Sequence, residues 1–361
     1  MEVTVIGLGL IGGSVGLALG RAGDRVTGFD RSEAALRSAL DRGAISRAAR
    51  STEEATAGAE VVLVATPVDV IPEVCRDLAA SLPPAAVVTD AGSAKVSVVE
   101  VGEDLFGDRF VGGHPMAGSE RHGIEAADGH LFEDAWWIVT PTRRTSHSGY
   151  VAVTDLIGRM GAKPVAIDPA VHDALVARLS HLPQLTASAL VEVAVTAGDR
   201  DALLGLAAGG FRDVTRIAAS NPAMWVAVLR SNRDAVLEAL NGLAGRMEKV
   251  RGLIEQDRWD ELGSWLERAR SARMDLFAKP SYGGEPVGLS MLVPDRPGVL
   301  AEVTTAAGQL GANIEDLRIV HSTEGGRGRL ELIVAGREPA ELLVGALVKL
   351  GYRPERIELE L

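Results

Sequence analysis

A single cysteine, Cys75, stands among 361 residues. One thiol excludes an internal disulfide, a thiolate metal cluster and a Cys-x-x-Cys redox pair. Cys75 itself, in a helical pattern after Pro72, reads as a small buried apolar side chain. Positive charge is also scarce: 37 Lys and Arg against 49 Asp and Glu leave a formal charge of −12. No local basic patch reverses that field, which argues against a nucleic-acid partner or an anionic membrane surface. No apolar run reaches the ~18 residues of a membrane span, and Met1-Glu2-Val3-Thr4-Val5 enters a strand pattern without a basic n-region or cleavage signal. A soluble, cytoplasmic protein is expected. What the chain does have is 47% hydrophobic residues, enough for cores in the two or three domains expected at about 100–200 residues each.

Up to about residue 167 short β-branched runs alternate with helix-compatible stretches: Val3–Ile6, Val26–Phe29, Val61–Ala65, Val87–Thr89, Phe110–Val111 and Trp136–Val139. That alternation predicts a parallel sheet with crossover helices. At Asp168-Pro169, an N-cap followed by a first-turn proline, the spacing becomes helical and stays so to about Ala278, with breaks at Gly209-Gly210 and Asn221-Pro222. The stretch from Lys279 to Pro286 has the Pro/Gly density of a linker. Residues 287–361 then read strand, helix, strand, Gly-rich turn, strand, helix, strand, the βαββαβ order of a ferredoxin-like α+β unit. The expected domains are 1–167, 168–280 and 287–361.

Directly after the first strand comes Gly7-Leu8-Gly9-Leu10-Ile11-Gly12, opening a helix. In this strand–loop–helix setting Gly7 permits the tight turn, Gly9 a close backbone approach to a pyrophosphate and Gly12 the packing of helix on strand, with phosphate charge at the helix N-terminus. Asp30 ends the second strand, where an acid accepts hydrogen bonds from the adenosine ribose and repels a 2′-phosphate. Dinucleotide binding is therefore expected, NAD ahead of NADP, with Arg31 and Ser32 keeping NADP open. Leu10, Ile11 and Thr66, after the Val61–Ala65 run, complete the expected cofactor contacts.

Two further strand ends carry polar residues on the edge where open α/β sheets bind ligands: Asp90-Ala91-Gly92-Ser93-Ala94-Lys95 and Gly112-Gly113-His114-Pro115-Met116-Ala117-Gly118-Ser119-Glu120. Of seven histidines, only His114 occupies such a position. Its unperturbed pKa near working pH suits a general base. His122, His130, His147, His172 and His321 have no convergent partners in the sequence, and surface or structural roles are expected for them. No metal site is expected.

These two segments, together with Ser180-His181-Leu182-Pro183-Gln184 and the run from Gly209 to Ala218, resemble prephenate and arogenate dehydrogenases of tyrosine biosynthesis, over roughly residues 1–280. The resemblance implies a Rossmann-like domain followed by a helical domain that forms a homodimer. It also implies that His114 takes the proton of the substrate's ring hydroxyl, that Ser93 lies between His114 and the nicotinamide, and that Arg216 holds a substrate carboxylate. Ser119 and Glu120 match positions near the substrate side chain, and Trp225 matches a tryptophan at the subunit boundary, with core packing as its alternative. A helix-surface pairing with Asp213 is the alternative for Arg216. Gln184 stands where some prephenate-specific members have a second histidine. A neutral amide offers hydrogen bonds but no positive charge, so arogenate stays open beside prephenate, and His181 is expected to be a buried packing residue.

The segment Pro294-Asp295-Arg296-Pro297-Gly298 with Asn313 resembles the ligand turn of ACT domains, which implies an aromatic amino-acid effector, tyrosine first, held by Asp295, Gly298 and Asn313. A purely structural dimerisation module is the alternative. Two more distant readings of the whole chain are another hydroxyacid-type dehydrogenase on the same fold and a non-enzymatic amino-acid sensor.

Overall fold

A computed structural model describes residues 1–118, 121–196, 208–277, 285–294, 299–321 and 327–357. It divides into two compact units, Met1–Glu248 and Lys249–Leu361.

Among its described residues the first unit contains eight strands: β1 (Glu2–Ile6), β2 (Arg25–Phe29), β3 (Arg47–Ala48), β4 (Val61–Val64), β5 (Val87–Asp90), β6 (Phe110–Pro115), β7 (Trp136–Thr140) and β8 (Lys163–Ala166). They form one sheet in the order β3-β2-β1-β4-β5-β6-β7-β8. The chain moves outward through β2 and β3, then returns to the other side of β1 for β4. This reversal creates a switch point between β1 and β4, where open α/β sheets leave a ligand crevice. Around the sheet lie α1 (Leu10–Arg21), α2 (Glu33–Asp41), α3 (Thr52–Thr56), α4 (Ile71–Ala79), α5 (Val96–Phe106) and α6 (His147–Arg159).

The expectation of a wholly parallel sheet needs correction. Strands β1 to β6 run parallel, but β7 pairs antiparallel with β6, placing Gly113 opposite Val139 and His114 opposite Ile138. A parallel return needs a long crossover, usually helical. Among the described residues of this connection the only helix is the single turn Ile124–Ala126. Strands β3 and β8 were also absent from the sequence reading; β3 is only Arg47-Ala48, and β8, Lys163–Ala166, carries a proline and is largely exposed.

Apolar spacing accounts for the packing. In α4 the buried side chains are Ile71, Val74, Cys75 and Leu78, one stripe at helical period. They join Val62, Val64, Val88, Val98 and Phe110 in the core on one face of the sheet, while Val3, Val5, Val15, Leu19, Val26, Trp137, Leu156 and Ile157 fill the other. Each fully buried aliphatic side chain contributes about 1.5–3 kcal/mol.

After β8 the described elements are helical: α7 (Pro169–Val176), a π-turn (Ala177–His181), α8 (Leu182–Thr196), α9 (Gly209–Thr215), α10 (Pro222–Ser231), α11 (Arg233–Glu255) and α12 (Trp259–Phe277). Asp168 caps α7, its carboxylate accepting from the backbone N–H of Ala170 and Val171 with Pro169 in the first turn, and Asn221 caps α10 in the same way ahead of Pro222. Among the described residues no helix is long and apolar enough to cross a membrane.

The second unit holds β9 (Pro286–Pro294), α13 (Val299–Gln309), β10 (Ile314–His321), β11 (Arg327–Ala335), α14 (Arg337–Lys349) and β12 (Glu355–Ile357). Its four strands form an antiparallel sheet in the order β10-β11-β9-β12. Leu289, Met291, Leu330, Leu332, Val303, Leu343 and Leu347 fill the core between strands and helices. The order and topology are those expected of the ferredoxin-like unit.

Candidate active site

At the end of β1 the backbone turns through Gly7 at φ +93°, and a Cβ there would lie 2.9 Å from the backbone of Ala65. A Cβ on Gly12 would sit 1.9 Å from the Gly7 carbonyl oxygen. Both positions are closed to any side chain. Gly9, the N-cap of α1, is the opposite case, with nothing within 4 Å of a Cβ placed on it and no side chain capping the helix. Behind the loop is closed packing, and in front of it are open space and first-turn amides of the helix that Leu10 and Ile11 begin. Thr66, just past β4, lies against Gly7 and has a buried hydroxyl without a partner in the protein. Asp30 is braced at the mouth, one carboxylate oxygen accepting from Leu8 N–H and the other from Ser32 N–H, each at 2.8 Å. An open glycine, uncapped amides, an orphaned hydroxyl and a fixed carboxylate fit the pyrophosphate and ribose of a dinucleotide. The two groups that kept a 2′-phosphate open are engaged elsewhere. Ser32 caps α2 by accepting from Ala35 N–H, and Arg31 pairs with Glu73 at 3.1 Å.

Further along the same sheet edge, β5 ends in Asp90 and β6 carries Gly113-His114. Asp90 is fully buried; its carboxylate accepts from Gly113 N–H at 3.0 Å and Gly92 N–H at 2.8 Å, and it holds the fully buried Lys95 ammonium. Lys95 also donates to the Gly113 carbonyl at 2.7 Å. Ser93, half-buried, sits in the loop these bonds fasten. Burial draws the Lys95 ammonium below its usual range, against the pull of Asp90 beside it.

His114 is half-buried, and its Nδ1 lies 2.9 Å from Nε2 of His172. His172, completely buried on α7, reaches through its own Nδ1 to Asp173 Oδ1 at 2.8 Å. Asp173 then accepts from Lys95 N–H at 2.7 Å and Val96 N–H at 2.9 Å, at the start of α5. Asn232 donates to the Asp173 carbonyl at 2.8 Å and lies 3.3 Å from His181 Nδ1. Burial first, then the Lys95 charge and the neighbouring imidazoles of His172 and His181, holds His114 well below the ordinary histidine range. It is therefore a neutral imidazole at neutral pH, able to accept a proton.

The expectation that His172 has no convergent partner is corrected here. His172, Asp173 and Lys95 form the support of His114; only a surface or structural role was expected of His172, and none of Asp173 or Lys95. The available signal was local: His172-Asp173 puts two adjacent polar groups in the otherwise apolar helix Pro-Ala-Val-His-Asp-Ala-Leu-Val. Of the other histidines, His122, His130 and His147 are exposed, and His130 pairs with Glu133. The side chain of His321 lies outside the described residues.

His181 is buried in the π-turn, its ring edge-on to Trp225 at 6.0 Å, and burial pulls it down to about 4. Trp225 packs against the core that includes Val228 and Phe110. Gln184, in the first turn of α8, is buried with its carbonyl oxygen unpartnered. Arg216 is not among these buried groups; it is exposed, at the first residue of the 3₁₀ turn Arg216–Ala219. Ser119, Glu120, Asp295 and Gly298 lie outside the described residues. Asn313 is exposed at the start of β10, its carbonyl accepting from Ala335 N–H at 3.0 Å.

Known families cover most of the chain. Residues 15–166 match the prephenate dehydrogenase nucleotide-binding domain, 168–268 the prephenate dehydrogenase dimerization domain and 287–352 the ACT domain. A curated prephenate dehydrogenase from Bacillus subtilis is 35% identical over 338 residues, 91% of each chain. Among solved structures, prephenate dehydrogenase from Aquifex aeolicus, in complex with hydroxyphenyl propionate and NAD+, superposes with a TM-score of 0.72 at 32% identity, covering 76% of this chain and 98% of that one. Synechocystis arogenate dehydrogenase gives 0.69 at 30% identity, covering 76% and 100%.

Proposed function

The chain belongs to the prephenate dehydrogenase family, and from that premise we propose that it catalyses the NAD-dependent oxidative decarboxylation of prephenate to 4-hydroxyphenylpyruvate in tyrosine biosynthesis. One observation carries the reading: a neutral, buried-side imidazole, His114, stands on the same sheet edge as an open glycine loop built for a dinucleotide. The Aquifex relative holding NAD+ and a hydroxyphenyl acid supports it.

Gly7, Gly9, Leu10, Ile11, Gly12, Asp30 and Thr66 would hold NAD, which supplies the acceptor for the hydride leaving the ring carbon. His114 takes the proton of the hydroxyl on that carbon, so that the C–O bond becomes a carbonyl as the C–H bond breaks. In the resulting dienone the ring carboxylate is lost as CO₂, its bonding pair flows through the ring to the carbonyl oxygen, and His114 returns the proton there. Aromatisation drives this second stage, so the protein needs only to orient and to hold anions. Arg216 is the anchor for a substrate carboxylate, a planar guanidinium being the better partner, with Ser93, Ser119, Glu120 and Gln184 around the substrate.

A second reading rests on Gln184. Its buried, unpartnered carbonyl oxygen can accept from an ammonium, which arogenate has and prephenate lacks. We place the domains at 1–167, 168–280 and 287–361, with a cytoplasmic homodimer formed through the helical segment and tyrosine sensed by the ACT segment at Asp295, Gly298 and Asn313. The test is a panel of prephenate and arogenate against NAD and NADP, following nicotinamide reduction and product identity. Turnover of prephenate with NAD is expected; no turnover of either substrate would overturn the reading.

A further inference from the structure

We propose that His172 and Asp173 are positioning residues that hold His114 in the tautomer protonated at Nδ1, so that Nε2 is the atom that accepts the substrate's proton. The inference deepens, and rests on, the reading of His114 as the base.

The proton positions follow inward from fixed donors. An ionised carboxylate only accepts hydrogen bonds. Asp173 accepts two from backbone N–H groups, those of Lys95 and Val96, whose protons cannot move. Its third partner, Nδ1 of His172, must then donate. A neutral imidazole with its proton on Nδ1 has only a lone pair on Nε2. That lone pair faces Nδ1 of His114 at 2.9 Å, so His114 donates from Nδ1 and is left with the lone pair on Nε2. Each step assigns the next proton, and the chain ends on the base.

The surroundings favour this direction. The charged and titratable groups around His114 are Asp90 on β5, Lys95 ahead of α5, His172 and Asp173 on α7, and His181 in the π-turn. Of these, Lys95 is bound to Asp90 and to the carbonyl of Gly113, the residue preceding His114. One proton lies between His114 Nδ1 and His172 Nε2, and a neutral His172 whose Nδ1 donates to Asp173 leaves it on His114. The carboxylate of Asp173 lies at the far end of the relay. When Nε2 gains the substrate proton, His114 becomes an imidazolium that keeps its Nδ1–H donated to His172; no proton need pass to Asp173, and none is lost or gained along the chain. Asn232 fastens the Asp173 carbonyl from the other side, so the orientation does not depend on His172 alone.

The experiment uses the full-length chain labelled with ¹⁵N-histidine, together with His172→Phe, which keeps a ring but removes the acceptor, and His172→Gln, whose amide oxygen can replace Nε2 as acceptor. Long-range ¹H–¹⁵N spectra, with the His114 signal assigned by its loss in His114→Asn, should show wild-type His114 protonated at Nδ1 and a population shifted toward Nε2–H in His172→Phe. In steady-state assays His172→Phe should lower kcat by about 10²- to 10⁴-fold, the scale of holding a base in the wrong tautomer. KM for prephenate and Kd for NAD should stay within about threefold, and His172→Gln should recover most of the lost kcat. An Nε2-protonated His114 in the wild type, or an unchanged kcat in His172→Phe, overturns the proposal. If His172→Phe fails to fold, the wild-type spectrum still decides. Failure of the base reading is separate: it would show as full turnover in His114→Asn, whatever the tautomer.

Discussion

His114 and His172 meet nitrogen to nitrogen at 2.9 Å with their rings 74° apart. His114 on β6 is thus gripped from α7, a helix that begins only after the last strand of the sheet. Replacing His114 by Asn should remove turnover while leaving NAD affinity nearly unchanged, a loss of about 3–5 kcal/mol of transition-state stabilisation. Stopped-flow kinetics and NAD titration on the same preparation check both halves.

Acidity should disarm the enzyme later than an ordinary histidine would. As the proposed base His114 works in its neutral form, and burial with the Lys95 charge lowers its affinity for protons. The acid limb of kcat/KM is therefore expected below pH 6.5. A limb at or above 6.5 would contradict the electrostatics described for the site.

Cofactor choice is expected to depend on Asp30. Removing its carboxylate in Asp30→Ala should narrow the kcat/KM preference for NAD over NADP by roughly one to two orders of magnitude, with the loss of the Leu8 N–H bond also weakening NAD. A wild-type enzyme that prefers NADP would refute this.

Arg216, the proposed carboxylate anchor, is exposed. Arg216→Ala should raise KM for prephenate by about tenfold to a thousandfold with a smaller effect on kcat. An unchanged KM would return the residue to a surface role.

Regulation is tested by truncation near Gly284. Loss of tyrosine inhibition with activity retained supports the ACT segment as the sensor, and in the intact chain prephenate and tyrosine should weaken each other's binding by one common factor. Identical inhibition curves would place tyrosine in the active site instead.

Much of this was legible in the residues. The strands whose side chains are β-branched and buried, β1, β2, β4 and β5, announce themselves, as do the cap Asp168 and the break at Asn221-Pro222. The glycine loop was readable because its chemistry is consecutive in sequence. The two-residue strand at Arg47-Ala48 and the largely exposed Lys163–Ala166 have no such pattern, and the antiparallel turn of β7 depends on how a connection folds back. His172 was unreadable for a different reason: its meaning lies in a residue 58 positions away, and a single sequence carries no distance between them.

Asp173 has one further consequence. The same carboxylate that orients His172 also ties down the first amides of α5, so a single side chain is both a clamp between two elements and the origin of the proton assignment at the base. A molecule in which α7 has come away from α5 would keep its cofactor cleft and its secondary structure yet have an uncommitted base.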